Sequence, residues 1–222
     1  SIDAELKSKV SFLRLDAHDD KIPAVCAEAC RVEQERLAST EQFCRSYIEE
    51  RLSRERIEHC EGTFVKALEL NEYFELELNP LSIAQVTLLH DCAREAEPDE
   101  VASLLDLEPQ EEINVDLLHG RAGAVLVRKE LGICDEEVLD AIGYHVTSRR
   151  GASALLTLQV VSDLLEEGRS FRDLVPKARD HVLLHSLATA VMASKLGRCF
   201  LKGQPLLRDS VEAYNWYLED LR

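Results

Sequence analysis

The amino-acid sequence predicts an all-α protein. Gly and Pro are sparse, with nine and six among 222 residues, and apolar residues recur mostly at spacings of three and four rather than two. A hydrophobic fraction of 45% is ample for a buried core in a chain of this length. We therefore expect one helical domain of moderate size, or one such domain with an appendage.

Composition argues against several classes of function. The formal net charge of −16 disfavours general nucleic-acid binding, which needs an excess of Lys and Arg, although a local cluster of cations would still suit a small anionic substrate. No apolar run is long enough to span a bilayer, and the N-terminus lacks a signal-peptide pattern. Seven cysteines without CxxC pairs are typical of reduced thiols. We expect a cytoplasmic protein that binds neither membrane nor nucleic acid.

The first clear helix signal is a capping box formed by Ser39 and Gln42. The next helix carries an apolar stripe that His59 flanks, with Arg56 one turn earlier on the same side. Gly62 follows one turn after this histidine. Because a glycine inside a helix costs about 1 kcal/mol relative to alanine, we interpret it as space left beside the imidazole for a ligand.

A His-Asp pair then ends an apolar helix-like run. Ser82 and Gln85 open that run with a second capping-box pattern. Helical periodicity places His90 on the face that should be buried, and Asp91 is turned about 100° away. A nitrogen and a carboxylate oxygen side by side suit a first-row metal ion. Considered alone, such a pair is more often a core histidine beside a solvated aspartate.

Two further histidines are candidates for the same region. After a Pro-broken acidic segment with a short helix around 101–105, His119 stands near the start of a helix that runs through Leu126, where free N–H groups favour an anion. Asp135 caps the following helix, whose periodicity turns His145 inward. The alternatives are a capping role for the first histidine and a satisfied core position for the second.

A single carboxylate interrupts the next apolar helix, which begins at Ser153 and has Gly168 as a natural stop. Asp163 lies near the C-terminal end of this helix, where the dipole disfavours negative charge. A bound cation would relieve that cost, and so would an ion pair with Arg169. A capped helix from Asp209 closes the chain.

The candidates form an ordered series in which each residue lies on or at the end of a separate expected helix. The series is His59, His90-Asp91, His119, His145, Asp163. Its order and spacing resemble the HD-domain metal-dependent phosphohydrolases, whose ligand set is H…HD…D. The segments LSRERIEH (52–59), LLHD (88–91), LLHG (117–120) and YHVT (144–147), with Asp163 followed by Gly168-Arg169, are similar to bacterial symmetrical diadenosine tetraphosphate hydrolases of the YqeK type.

This resemblance implies a fold, a metal and a set of contacts. The fold is an HD-domain helical bundle over residues 51–222. Residues 1–50 have no counterpart in the family's compact form and are expected to add a helical N-terminal extension. Iron is the implied metal, with manganese or zinc as alternatives and one or two ions bound, and a homodimer is implied. The implied metal ligands are His59, His90, Asp91 and Asp163. The implied contacts to phosphate and nucleotide are Arg56, Arg94, His119, His145, Thr147 and Arg169, and His119 with His145 would complete any second metal position.

The implied activity is symmetrical cleavage of diadenosine tetraphosphate into two ADP molecules. Asp91 would orient or deprotonate the attacking water, and His119 or His145, if protonated, would stabilise or protonate the leaving phosphate. The arginines would offset the charge on the transferred phosphoryl group. Alternatives are an HD phosphohydrolase for another nucleotide, or an inactive HD-like scaffold that binds a partner through the N-terminal extension. Two residues depart from the family pattern, since Arg94 replaces a lysine and Cys60 a threonine.

Overall fold

The computed structural model of the chain describes residues 24–107, 114–168, 183–219 and 221. Within these ranges the chain forms nine α-helices and contains no β-strand, which confirms the expected all-α class. The helices are α1 (Ala24–Glu49), α2 (Arg54–Tyr73), α3 (Pro80–Leu89), α4 (Pro98–Leu105), α5 (Val115–Leu131), α6 (Glu136–Tyr144), α7 (Ala154–Leu165), α8 (Leu184–Leu201) and α9 (Arg208–Glu219). None of these helices combines the length and the apolar character needed to cross a membrane.

Helix α1 begins well before the expected capping box. The Ser39 hydroxyl donates to the Glu35 carbonyl at 2.8 Å, a bond of the helix interior, so the predicted start at this serine is wrong. The helix packs mainly against α3 and buries Leu37, Cys44 and Ile48 in the main core. Residues 1–23 of the expected extension lie outside the described residues. The division of the chain at residue 50 stays a prediction.

Helix α3 is central, since it packs against α1, α2, α6 and α7. It starts at Pro80, and the Asn79 side chain accepts a hydrogen bond from the Leu81 N–H at 3.0 Å. The predicted capping box at Ser82 is therefore wrong, because a stronger cap lies three residues earlier. The side chains of its second half are almost all buried, as expected of a helix that is apolar on every face. Its end at Leu89 presents the His-Asp pair directly to the core.

The remaining helices surround this centre. Helix α7 packs against α2, α3, α6 and α8, while α5 lies against α4 and α6, and α8 against α9. The predicted caps of α6 and α7 are confirmed, since the Asp135 carboxylate accepts from the Glu137 N–H at 2.9 Å and the Ser153 hydroxyl accepts from the Leu156 N–H at 3.2 Å. Helix α7 ends at Leu165, three residues before the expected glycine stop.

The turn between α6 and α7 is tied to the two C-terminal helices. Ser148 adopts a φ of 57°, which is unusual for a residue other than glycine. Its hydroxyl lies 3.0 Å from the Tyr217 hydroxyl, which is also 3.1 Å from Thr157 Oγ1. The Lys195 ammonium donates to the Val146 carbonyl in the same turn. Helices α8 and α9 therefore hold the segment that follows His145.

We expect Tyr217→Phe to lower the free energy of unfolding by about 1–2 kcal/mol, because the Ser148 hydroxyl would lose a buried partner. Urea denaturation followed by circular dichroism measures this change. Tyr73→Phe is the control, since Tyr73 is 51% exposed and its replacement should cost under about 0.5 kcal/mol. Equal stability of the two variants would contradict the role given to the Tyr217 hydroxyl.

Candidate metal centre

Polar side chains from five segments of the fold meet in the core. Helix α2 supplies one, the turn after α3 supplies two, and α5, the turn after α6, and α7 supply one each. The six residues, called here the His/Asp cluster, are His59, His90, Asp91, His119, His145 and Asp163. The most exposed side chain among them, that of Asp163, is only 12% exposed. Buried polar groups at this density require partners.

Three members of the cluster could hold one metal ion between them: His59, His90 and Asp163. Oδ1 of Asp163 lies 3.0 Å from Nε2 of His59 and 3.9 Å from Nε2 of His90. Oδ2 of Asp91 lies 3.7 Å and 3.5 Å from the same two nitrogens. Two imidazole nitrogens and two carboxylate oxygens thus enclose one position, and this donor set suits a first-row divalent metal.

Asp91 faces a second pair of histidines with its other oxygen. Oδ1 of Asp91 lies 3.0 Å from Nε2 of His119 and 3.5 Å from Nε2 of His145. The two Nε2 atoms are 3.1 Å apart. These three residues could hold an ion of their own. Because its two oxygens point to different groups, Asp91 is placed to bridge two positions.

Hydrogen bonds at Nδ1 fix the orientation of all four rings. His90, His119 and His145 each bond to a carbonyl oxygen of their own helix, at 2.8, 3.0 and 2.8 Å respectively. His59 instead bonds to a carboxylate oxygen of Glu166 at 3.1 Å. A carbonyl or carboxylate oxygen only accepts, so each Nδ1 must carry the hydrogen. In the neutral ring, Nε2 is then a bare acceptor aimed into the cluster.

Acceptor atoms therefore face acceptor atoms at the centre. Four imidazole nitrogens and the oxygens of two aspartates converge, and Nε2 of His90 is completely buried with no hydrogen-bond partner among the described residues. Unpartnered buried acceptors are costly. A divalent cation would satisfy several of them at once, so the residues present fit a metal ion.

The protonation states agree with this interpretation. Burial lowers the pKa of His90 to about 3, which keeps the ring neutral at physiological pH. Burial also lowers the pKa of His119, although the neighbouring carboxylate of Asp91 opposes the change. Burial alone would raise the pKa of Asp91, but the neighbouring rings of His90, His119 and His145 hold it well below its usual value. Neutral imidazoles and an ionised carboxylate are the forms that bind metal.

Two of the expected cations flank the cluster. Nη1 of Arg56 donates to Oδ2 of Asp91 at 2.9 Å, and its buried Nε has no hydrogen-bond partner in the part of the chain that the structure describes. Arg94 pairs with Asp116 in the first turn of α5, and its charge adds to burial in lowering the pKa of His119. A negatively charged group at the cluster would therefore lie near the positive charge of two guanidinium groups.

Two further residues, Thr147 and Arg169, were also expected to contact the substrate. Thr147 lies on the turn two residues after His145, where its backbone N–H donates to the Tyr144 carbonyl at 3.2 Å. Arg169 lies outside the described residues, directly after Gly168. The contacts of Thr147 and Arg169 with a substrate stay predictions.

One carboxylate beside the cluster was not predicted from the sequence, and the role predicted for one glycine was wrong. Glu166 is only 4% exposed, yet its carboxylate reaches His59. A Cβ atom added to Gly62 would lie 2.7 Å from Oε2 of Glu166. The interpretation of this glycine as space for a ligand is therefore wrong, because a side chain of the protein fills that space. The available signal was an acidic residue one helical turn after Asp163, at the end of an apolar helix.

Cys60 also lies beside the cluster, close enough to His90 and Asp91 to share an ion with them. Burial raises the pKa of its thiol well above the usual value, and the charge of Asp91 adds to that effect. Because the thiolate is the form that binds metal, this environment disfavours the cysteine as a ligand.

The chain is similar in sequence to a known domain family and to known proteins. Residues 56–181, more than half of the chain, match the HD domain. A symmetrical bis(5'-nucleosyl)-tetraphosphatase of Bacillus subtilis is 31% identical over 180 residues, which cover 76% of this chain and 92% of that protein. A protein of the same name from Halalkalibacterium halodurans is 29% identical over 173 residues, covering 75% and 91% of the two chains.

A solved structure extends the likeness to the fold. It is the crystal structure of a predicted HD superfamily hydrolase involved in NAD metabolism from Clostridium acetobutylicum. It superposes with a TM-score of 0.71 at 27% identity and covers 81% of this chain and 97% of that chain. The matched domain, the relatives and the His/Asp cluster together establish that this chain belongs to the HD-domain family of metal-dependent phosphohydrolases.

Proposed function

We propose that the chain hydrolyses diadenosine tetraphosphate symmetrically to two ADP molecules at the His/Asp cluster. One observation carries the proposal: buried acceptor atoms of four histidines and two aspartates converge with no donor for Nε2 of His90 among the described residues. The choice of substrate is supported by the two relatives that bear the name of this activity and are matched over most of their length.

His59, His90, Asp91 and Asp163 are the proposed ligands of the first ion, which we propose to be iron. When bound, a metal of this kind polarises a phosphoryl oxygen and lowers the pKa of water. Asp91 would accept a proton from the attacking water or fix its orientation, because Oδ1 and Oδ2 of this residue face both halves of the cluster. Arg56, held 2.9 Å from Asp91, would offset negative charge on the transferred phosphoryl group.

His119 and His145 are the proposed partners of the leaving phosphate or of a second ion. Their Nε2 atoms are 3.1 Å apart and both face Oδ1 of Asp91. A cation between them would relieve the repulsion of their lone pairs. A proton on one Nε2 would serve the same purpose and would make that ring a donor to the leaving group. Arg94, Thr147 and Arg169 complete the proposed substrate contacts.

Two other functions are alternatives to this proposal. One is hydrolysis of another nucleotide at the same centre, which the description of the Clostridium acetobutylicum protein as involved in NAD metabolism favours. The other is an inactive HD-like scaffold that uses its N-terminal extension to bind a partner. A scaffold has no physical need for six polar side chains converging in its core, so the cluster argues against it.

We expect His90→Ala and Asp163→Ala to abolish stoichiometric metal binding, because each removes a proposed ligand from the first position. Metal content after purification and dialysis, measured by inductively coupled plasma mass spectrometry, tests this expectation. His185→Ala is the matched control, since His185 contacts Trp216 and Tyr217 rather than the cluster. Full metal content in both ligand variants would refute the proposed site.

We expect Gly120→Ala to disturb the close approach of His119 and His145 in the cluster. An added Cβ would lie 3.0 Å from the carbonyl oxygens of Ile142 and Gly143 and 3.1 Å from His145 Cε1. Because backbone atoms cannot move aside, α5 and α6 must separate, which should cost about 1–3 kcal/mol of stability and roughly tenfold or more in kcat/KM, a factor equivalent to about 1.4 kcal/mol.

The control for this variant is Gly197→Ala, since an added Cβ there meets nothing within 4 Å. It should be neutral or slightly stabilising, because alanine favours a helix by about 1 kcal/mol over glycine. Thermal unfolding and steady-state kinetics measure both variants. Unchanged activity of Gly120→Ala would remove the close approach of His119 and His145 from the proposed mechanism.

Incubation of the metal-loaded protein with diadenosine tetraphosphate should yield ADP as the only nucleotide product. Ion-exchange chromatography separates ADP from AMP and ATP. Products AMP and ATP would retain the metal hydrolase but reject the symmetrical cleavage. With metal confirmed present, absence of turnover would favour the other nucleotides of a panel that includes NAD. Absence of both metal and turnover would favour the scaffold.

A further inference from the structure

His59 differs from the other three histidines of the cluster in how its ring is held. Those three use a carbonyl oxygen of their own helix, which no side-chain substitution removes. His59 lies in the interior of α2, and its Nδ1 is 3.1 Å from Oε1 of Glu166, a residue 107 positions later in the chain. The orientation of this ring therefore depends on one carboxylate from another helix.

Glu166 occupies an unfavourable position for a carboxylate. It follows the last residue of α7, where the helix dipole disfavours negative charge, and it is only 4% exposed. A carboxylate is buried at such a place only when specific donors stabilise it. Nδ1 of His59 is one donor, and the backbone N–H of Gly168 is another, at 2.7 Å from Oε2.

Two glycines leave room for this carboxylate. A Cβ added to Gly62 would lie 2.7 Å from Oε2 of Glu166, closer than real contacts allow. A Cβ added to Gly168 would lie 3.0 and 3.2 Å from its two oxygens. Both helix α2 and the turn after α7 therefore approach the carboxylate where a side chain larger than glycine would displace it.

We propose that Glu166 is the positioning residue of His59, holding the ring in the Nδ1–H form with Nε2 directed at the metal position, and that Gly62 exists to admit its carboxylate. Nε2 of His59 indeed points to the opposite side, 3.0 Å from Oδ1 of Asp163. A carboxylate behind a ligating imidazole fixes the tautomer and raises the basicity of the ligating nitrogen. This inference rests on the proposed function, since it concerns the same centre.

Glu166→Gln tests the charge of this residue with little change of shape. The probe is zinc(II), which has no redox chemistry, and its affinity is measured by competition with a chromogenic chelator. We expect a loss of about 10–100-fold, the usual effect of removing such a partner. Glu167→Gln is the matched control, because Glu167 is the exposed neighbour, and its affinity should stay within about twofold.

Gly62→Ala tests the same inference without altering any charge. The added methyl would displace the end of a flexible side chain rather than the backbone. Two effects on the metal-free protein oppose each other, because alanine favours the helix by about 1 kcal/mol while the displaced carboxylate loses buried donors. The unfolding temperature should therefore stay close to that of the wild type, while zinc affinity falls in the same direction as for Glu166→Gln. Gly197→Ala should gain stability and keep the wild-type affinity. A purely structural role for Glu166 would not lower affinity in a variant that is no less stable.

The tautomer of His59 is observed directly by ¹⁵N–¹H correlation spectra of the imidazole rings in the metal-free protein. We expect the proton on Nδ1 in the wild type and a shift of that resonance in Glu166→Gln. A proton on Nε2 with none on Nδ1 in the wild type would overturn the inference. Wild-type zinc affinity in both Glu166→Gln and Gly62→Ala would also overturn it.

These outcomes are separable from failure of the proposed function. If the wild-type protein bound no metal, the proposed function would fail, while the ring spectra of the metal-free protein would still decide the role of Glu166. If the wild type bound zinc and hydrolysed the nucleotide but the two variants matched it in affinity, the role of Glu166 would fail and the proposed function would stand.

Discussion

The convergence of buried hydrogen-bond acceptors is the constraint on which the site depends. Each of the four histidines commits its Nδ1 hydrogen to an oxygen behind the ring, and each therefore directs a bare Nε2 toward the two aspartates. Without a cation, such an arrangement costs free energy, because buried acceptors such as Nε2 of His90 lack a donor among the described residues. In the metal-free protein the packing of the surrounding helices must offset this cost, and metal binding would remove it.

The fold meets this constraint by bringing helix ends and close helix contacts to one place. Helix α3, apolar on every face, ends immediately before His90, so the ring enters the core as the helix stops. Gly120 lets α5 approach α6 closely enough for two imidazoles to meet. The Tyr217 hydroxyl and the Lys195 ammonium hold the turn after His145 from α8 and α9. Distant parts of the chain thus contribute to the geometry of one site.

Charge is distributed differently near the site and over the whole chain. The chain carries a formal net charge of −16, which would repel a polyphosphate at long range. Arg56 and Arg94 lie beside the cluster, and each is paired with an aspartate, Asp91 and Asp116 respectively. An anionic substrate would compete with those two carboxylates for the guanidinium groups. Local positive charge in an acidic protein therefore favours one binding place over the general surface.

The sequence alone determined the helical class, the caps at Asp135 and Ser153, and the order of the histidines and aspartates, because these follow from periodicity and from residue type over short distances. It misplaced the starts of α1 and α3, since the polar residues at Ser39 and Ser82 also fit a helix interior. Only the tertiary structure decided that Glu166 lies behind His59 and that a glycine makes room for it. Those contacts join positions 107 residues apart, and no local pattern encodes which two helix surfaces will meet.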